Sequence, residues 1–132
     1  MDREVVVVID GPALIEALVG WSPSKQLLTV VSSEQLHVPH LLDYEFRSAL
    51  RGLILGKKVS ASRTEGAHIV KQNLALSRHS DDSTGERAWD LRGSLNAYDA
   101  THVALAEPLG CPLITTDAKM AREVRTVQVD LH

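Results

Sequence analysis

The sequence predicts an α/β protein, an α/β/α sandwich around a mostly parallel central sheet. Three observations carry that expectation. The run Val5-Val6-Val7-Val8-Ile9 is β-branched and does not alternate with polar residues, the pattern of a strand buried on both faces. Strand-like apolar segments then alternate with helical segments along the whole chain. The length, 132 residues, is that of one domain, which removes roughly two-thirds of its unfolded surface from water on folding. The chain is therefore read as a single domain over residues 1–132.

The first strand ends at Asp10-Gly11-Pro12. Pro12 suits a first helical turn, where a missing N–H costs nothing. Leu14, Ile15 and Leu18 share one face of the helix that follows, through Val19, and Gly20 stops it. Pro23 opens a short helix over 23–31, and Leu36-His37-Val38 is a brief strand. Residues 41–55 form a longer helix, with Leu42, Phe46, Ala49 and Leu53 at helical spacing and Gly56 as its C-terminal cap. Helices are expected over 61–74, 84–91 and 98–109, the last closed by Gly110. Residues 112–115 read as an apolar strand, 118–123 as a helical turn and 126–129 as a last strand.

Composition excludes several classes. Hydrophobic residues are 44% and charged residues 23%, the balance of a folded globular chain and not of a disordered one. The single cysteine, Cys111, allows no internal disulfide framework and no multi-cysteine zinc site. No apolar run approaches the roughly 20 residues of a membrane span. Residues 1–10 place Asp2, Arg3 and Glu4 before five apolar residues, which does not read as a signal peptide, so a cytoplasmic protein is expected. The net charge of −3 excludes binding to nucleic acid through bulk positive charge.

The acids are informative by position. Asp10 follows the first strand and Asp117 follows the strand ending at Thr115, so a parallel sheet puts both at its carboxyl edge, where open α/β folds place their sites. Asp99 opens the helix over 98–109 and shares a face with Val103 and Ala106. Glu45 lies early in the helix over 41–55, with Leu42, Ser48 and Ala49 as neighbours on what reads as the packed side. Asp43 lies on the far side of that helix and faces Arg47 at i+4 as a surface ion pair.

Each acid also has a structural reading. Asp10 and Asp117 suit N-caps, Asn96 with Asp99 suits a capping box, and Glu45 suits the positive end of a helix. Both readings stay open for each residue alone. Together the four would repel, since two bare carboxylates 4 Å apart cost about 4 kcal/mol at an effective dielectric near 20. A dication removes that cost, and an all-oxygen donor set selects Mg²⁺ or Mn²⁺. Thr115 and Thr116 are candidates to position Asp117 or a phosphate oxygen, or are strand-end threonines of ordinary β propensity.

Several segments agree with one family. They are Val8-Ile9-Asp10-Gly11-Pro12-Ala13-Leu14, then Val38-Pro39, Glu45 and Ser48-Ala49-Leu50. Arg87-Ala88-Trp89-Asp90-Leu91-Arg92, Ala97-Tyr98-Asp99-Ala100 and Val103-Ala104-Leu105-Ala106-Glu107 follow, with Leu113-Ile114-Thr115-Thr116-Asp117-Ala118 last. In order and spacing the chain resembles the PIN-domain ribonucleases, specifically the VapC-like toxins of bacterial toxin–antitoxin pairs. The resemblance implies a PIN-like fold and a metal-dependent endoribonuclease that hydrolyses RNA with a metal-activated water. It implies that Asp10, Glu45, Asp99 and Asp117 hold one or two Mg²⁺ or Mn²⁺ ions. It also implies a homodimer and a cognate antitoxin. Ser94 stands where family members often carry Asn, and Gly11-Pro12 where Ala or Ser is more usual, which bears on substrate fit more than on chemistry.

Other features are assigned smaller roles. Arg47, Arg51, Lys57, Lys58 and Arg63 form an RNA-facing strip or a solvated surface, and Arg87 and Arg92 are candidates for RNA or antitoxin contact. Trp21 and Trp89 read as packing residues, and Asp81 and Asp82 as solvated. Cys111 reads as a small buried hydrophobe, and the six histidines as no metal site. No phosphate-binding glycine loop and no Gly-x-Ser-x-Gly elbow occurs. An aspartyl-nucleophile phosphotransferase would want a second Asp where Pro12 stands. The remaining alternative is a PIN-like module that binds RNA or a partner without cutting.

Overall fold

The computed structural model describes residues 5–132, so part of the N-terminal stretch read as lacking a signal peptide lies outside the described residues. In chain order the elements are β1 (Val6–Ile9), α1 (Gly11–Val19), α2 (Lys25–Ser33), β2 (Gln35–Pro39), α3 (Leu41–Leu55), α4 (Ala61–Gln72), β3 (Leu76–His79), α5 (Asp81–Asp90), α6 (Ala97–Leu109), β4 (Leu113–Thr115), α7 (Ala118–Glu123) and β5 (Val129–Leu131). The strands form one sheet in the order β3-β2-β1-β4-β5, and every pairing is parallel.

The sheet is covered on both faces, as the unbroken apolar β1 predicts. Val7 and Ile9 point to one side, where Leu14 of α1, Leu27 of α2, Leu42, Phe46 and Leu50 of α3 and Ala67 of α4 close the larger core. Val8 points to the other side, against Val103, Leu105 and Ala106 of α6 and Met120 of α7. Burying a side chain such as Phe46, which has no exposed surface, stabilises by roughly 1.5–3 kcal/mol. Gly110 ends α6 at φ +60°, a left-handed conformation that glycine adopts without strain.

The strand order contains a reversal. From β1 the chain builds outward through β2 to β3, then returns to the other side of β1 with β4 and β5. The gap between the carboxyl ends of β1 and β4 is therefore the topological switch point, where an open α/β sheet leaves a crevice.

Several local expectations are corrected. β3 was not expected: its sequence Leu-Ser-Arg-His has no apolar alternation because it is a partly exposed edge strand. α2 begins at Lys25 and not at Pro23, because Ser24 caps it through the Leu27 N–H at 3.0 Å. α5 begins at Asp81, so Asp81 and Asp82, although exposed, form its acidic first turn. β5 runs Val129–Leu131, later than expected, pairing Leu113 with Val129. On α3 the buried positions are Leu42, Phe46 and Leu50, whereas Ser48 and Ala49 are exposed.

Candidate active site

Asp10 leaves β1 and Asp117 follows β4 by two residues. Ile9 is in register with Ile114, so the two acids emerge side by side at the switch point. Asp10 is 2% exposed. Its Oδ1 accepts from the Ala13 N–H at 2.9 Å and caps α1, while its Oδ2 accepts from Thr115 Oγ1 at 2.5 Å. The same hydroxyl oxygen accepts from the Asp117 N–H at 3.0 Å. Asp117 in turn caps α7, its Oδ1 accepting from the Lys119 and Met120 N–H groups at 2.9 and 3.4 Å. The capping reading of both acids is thus correct, and it coexists with a place at the crevice. Thr116, beside Thr115, is only half-buried.

The helices supply the other acids. The Asp99 N–H donates to Asn96 Oδ1 at 2.8 Å, which caps α6 and leaves the half-buried Asp99 carboxylate outside the cap bond. One turn on, His102 is buried at 1% exposure, and its Nε2 lies 2.9 Å from Glu45 Oε1 on α3. This contact ties α3 to α6 across the crevice. His102 is the site residue that sequence reading missed, although its i+3 spacing from Asp99 puts both on one helix face. Gly11 makes room for Glu45: a Cβ there would stand 3.1 Å from Glu45 Cβ and 3.4 Å from Oε1. The departure from Ala or Ser at this position is therefore a matter of space for the acid.

Two of the carboxylates, Asp10 and Asp99, sense the charge of other acids. Burial raises the pKa of Asp10 above its ordinary value; the Thr115 and Ala13 hydrogen bonds oppose the rise, and the Glu45 charge adds to it. Burial also raises Asp99, with the charges of Asp117 and Glu45 adding and His102 and Lys119 opposing. Both sites thus disfavour their own negative charge, which is the condition a cation relieves. The donor chemistry, all carboxylate and hydroxyl oxygen, fits a hard dication. Among the described residues, no three His, Cys, Asp or Glu side chains stand grouped so as to hold an ion as they are, so an ion here would have to draw the carboxylates inward.

Around the site some assignments change. Asp43 does not pair with Arg47. It binds the buried Lys71 of α4, and Arg78 of β3 donates to it at 2.7 and 3.0 Å. Helical spacing shows only partners on the same helix, and these lie 28 and 35 residues away. Arg63 leaves the expected RNA strip: it donates to the carbonyls of Val19 and Gly20 and stacks 4.0 Å from the Trp21 ring. Arg87 is held in a two-bond pair with Glu107, and Arg92 lies over Trp89 at 4.4 Å. Trp21 and Trp89 are 78% and 66% exposed, so neither is a core packing residue. Cys111 is buried, as expected, and burial raises its thiol pKa. His37 Nδ1 lies 2.8 Å from His79 Nε2.

An all-parallel α/β/α sandwich with acids from two adjacent strand ends and two helices at its switch point defines an α/β domain with a carboxylate-lined site. The PIN domain family model matches residues 7–125, and the chain belongs to that family. It is 38% identical over 116 residues to the ribonuclease VapC9 of Mycobacterium tuberculosis, covering 88% of this chain and 89% of that protein, which places it with the VapC ribonucleases. Two solved structures share the fold. PAE2754 from Pyrobaculum aerophilum has a TM-score of 0.66 at 21% identity, over 95% of this chain and 89% of that one. A toxin–antitoxin complex from Klebsiella pneumoniae contains a chain with a TM-score of 0.62 at 16% identity, over 92% of this chain and 94% of that one. Among the described residues no helix is long and apolar enough to cross a membrane.

Proposed function

We propose that this chain is a divalent-metal-dependent endoribonuclease, the toxin of a toxin–antitoxin pair, which hydrolyses RNA phosphodiester bonds. One observation carries the reading: Asp10 and Asp117, 107 positions apart in sequence, meet at the switch point through the Thr115 hydroxyl, with the charge of Glu45 near enough to raise the pKa of Asp10. The family and the ribonuclease relative support it.

Asp10 and Asp99 are assigned as direct ligands of Mg²⁺ or Mn²⁺, with Glu45 and Asp117 completing the shell. When bound, such an ion supplies charge to neutralise phosphoryl oxygens and acidifies a water. The chain's own residues do the positioning. Thr115 fixes the Asp10 carboxylate from one side while the Ala13 N–H fixes it from the other. His102 fixes Glu45, and the α7 cap fixes one oxygen of Asp117, leaving Glu45 or Asp117 to orient the attacking water. The exposed Arg47 and Arg51 of α3 stand two and six residues past Glu45, so they do not share its helix face and instead line a separate hollow with Glu65 and His68. A cognate antitoxin and a second copy of the chain are the proposed protein partners. Trp21 and Trp89 offer exposed aromatic surface of the kind interfaces bury.

The test is cleavage of a mixed RNA panel with Mg²⁺ or Mn²⁺ and with chelator. Asp10→Asn and Asp99→Asn are expected to abolish divalent-dependent cleavage while circular dichroism stays unchanged. Full activity in either variant rejects the assignment, and RNA held but left uncut by the unaltered chain supports the binding-only module instead.

A further inference from the structure

The chain has only two tyrosines, and both lie at one place. Tyr44 on α3 is 65% exposed and Tyr98 on α6 is 59% exposed, yet each lines the same cavity of about 710 Å³. Glu45 forms part of its wall, together with Pro12, Ile15 and Leu53. Each ring also adjoins an acid of the candidate site in sequence, Tyr44 before Glu45 and Tyr98 before Asp99. The Arg47 guanidinium lies 5.2 Å from the centre of the Tyr44 ring, so a cation backs that ring at the cavity rim.

Exposed aromatic rings beside a largely apolar hollow hold apolar surface in water, which a flat group stacked on them would cover. We infer that Tyr44 and Tyr98 are a nucleobase platform, on which bases flanking the scissile phosphate of single-stranded RNA leave their own stack and lie on tyrosine. This rests on the ribonuclease reading and extends it from the phosphate to the base. Charge and chemistry favour this occupant. A base presents a π-face to each ring and its phosphate meets Arg47, while the sugar-phosphate chain runs on past Glu45 to the other acids. Stacking of this kind tolerates any base, so it sets the requirement for unpaired RNA and not for a sequence.

The probe is a fluorescein-labelled single-stranded RNA 12-mer of mixed sequence, titrated by anisotropy into Asp10→Asn protein so that it stays uncut. Both rings are exposed, so their removal leaves the core intact. Tyr44→Ala with Tyr98→Ala is expected to weaken binding at least tenfold, from the roughly 5- to 100-fold that a stacked base contributes per ring. Phe at both positions is expected to bind within about threefold of the parent, because the ring and not the hydroxyl carries the contact. An abasic 12-mer is expected to bind parent and Ala variant alike. Equal binding of the base-bearing 12-mer by parent and Ala variant overturns the platform, leaves the nuclease reading standing, and assigns the rings to a protein partner. A parent that binds no RNA overturns the platform, and the nuclease reading falls with it only if the unaltered protein also cuts no RNA with Mg²⁺ or Mn²⁺.

Discussion

Thr115 Oγ1 donates a 2.5 Å hydrogen bond to Asp10 Oδ2, and the pair joins the ends of two strands that are neighbours only because the sheet is parallel. Thr115 has no exposed surface and Asp10 only 2%, so no water replaces either partner if the other is removed.

Thr115→Val keeps the shape and removes the donor. It leaves the Asp10 carboxylate short of one partner and strips the Asp117 N–H of its acceptor. The expected cost is about 2 kcal/mol of unfolding free energy in urea, with Thr115→Ser recovering most of it. A loss no larger than that of a surface threonine would show that the hydroxyl is ornamental to the strand end.

Asp99→Asn separates chemistry from stability. The Asp99 pKa is raised, first by burial and then by Asp117 and Glu45. A carboxylate raised in the fold binds its proton more tightly folded than unfolded, so stability falls as pH climbs from the ordinary 3.8 through the folded value, and the penalty is present in full at neutral pH. Removing the charge should therefore raise Tm without divalent ions while cleavage is lost. Solvent screening keeps the gain small, about 2 °C, the scale that half a kcal/mol produces in a chain of this size. Added Mn²⁺ should raise Tm of the unaltered protein more than that of the variant. A lower Tm in the metal-free variant contradicts the crowding of these acids.

His102 is expected to act on Glu45 without touching RNA. Its Nδ1 is buried with no partner, so His102→Leu removes an unsatisfied atom together with the Glu45 contact and should leave folding stability nearly unchanged. Mn²⁺ affinity, read by calorimetry, should fall about tenfold or more, as when a group orienting a ligand is lost. His102→Gln, which keeps a donor, should restore part of it. Destabilisation with unaltered Mn²⁺ affinity would make the histidine a core residue only.

Much of this arrangement is legible in sequence because it follows from short-range pattern. The unalternating β1 demands cover on both faces, the bounds of α3 follow from its periodicity, and two acids after parallel strands must share an edge. What stays hidden depends on distant partners. β3 has no pattern of its own and is a strand only because β2 offers it a ladder. His102 is one histidine of six until α3 brings Glu45 to it. Trp21 is indistinguishable from a core tryptophan until Arg63, 42 positions away, stacks on it at the surface.

The Asp43 cluster provides a pH signature of the opposite sign. Hydrogen bonds from Arg78 and then Lys71 lower the Asp43 pKa from 3.8 to about 2. A carboxylate lowered in the fold stabilises fully above its unfolded pKa, and that contribution drains away as pH falls from about 4 through 2. The drop amounts to about 2 kcal/mol, being nearly two pKa shifts of 1.36 kcal/mol each. Asp43→Asn should therefore be destabilised at pH 6 and converge on the unaltered protein as the pH nears 2. At neutral pH the deficit should be this same amount of about 2 kcal/mol, since Lys71, only 2% exposed, is left as a buried charge short of its carboxylate. Since Asp43 stands two residues before Glu45 on α3, loosening this anchor should also raise KM for RNA more than it lowers kcat. Urea unfolding of both proteins at pH 6, 4 and 3 reads the first effect, and a stability difference that does not shrink with acid would remove Asp43 from the account.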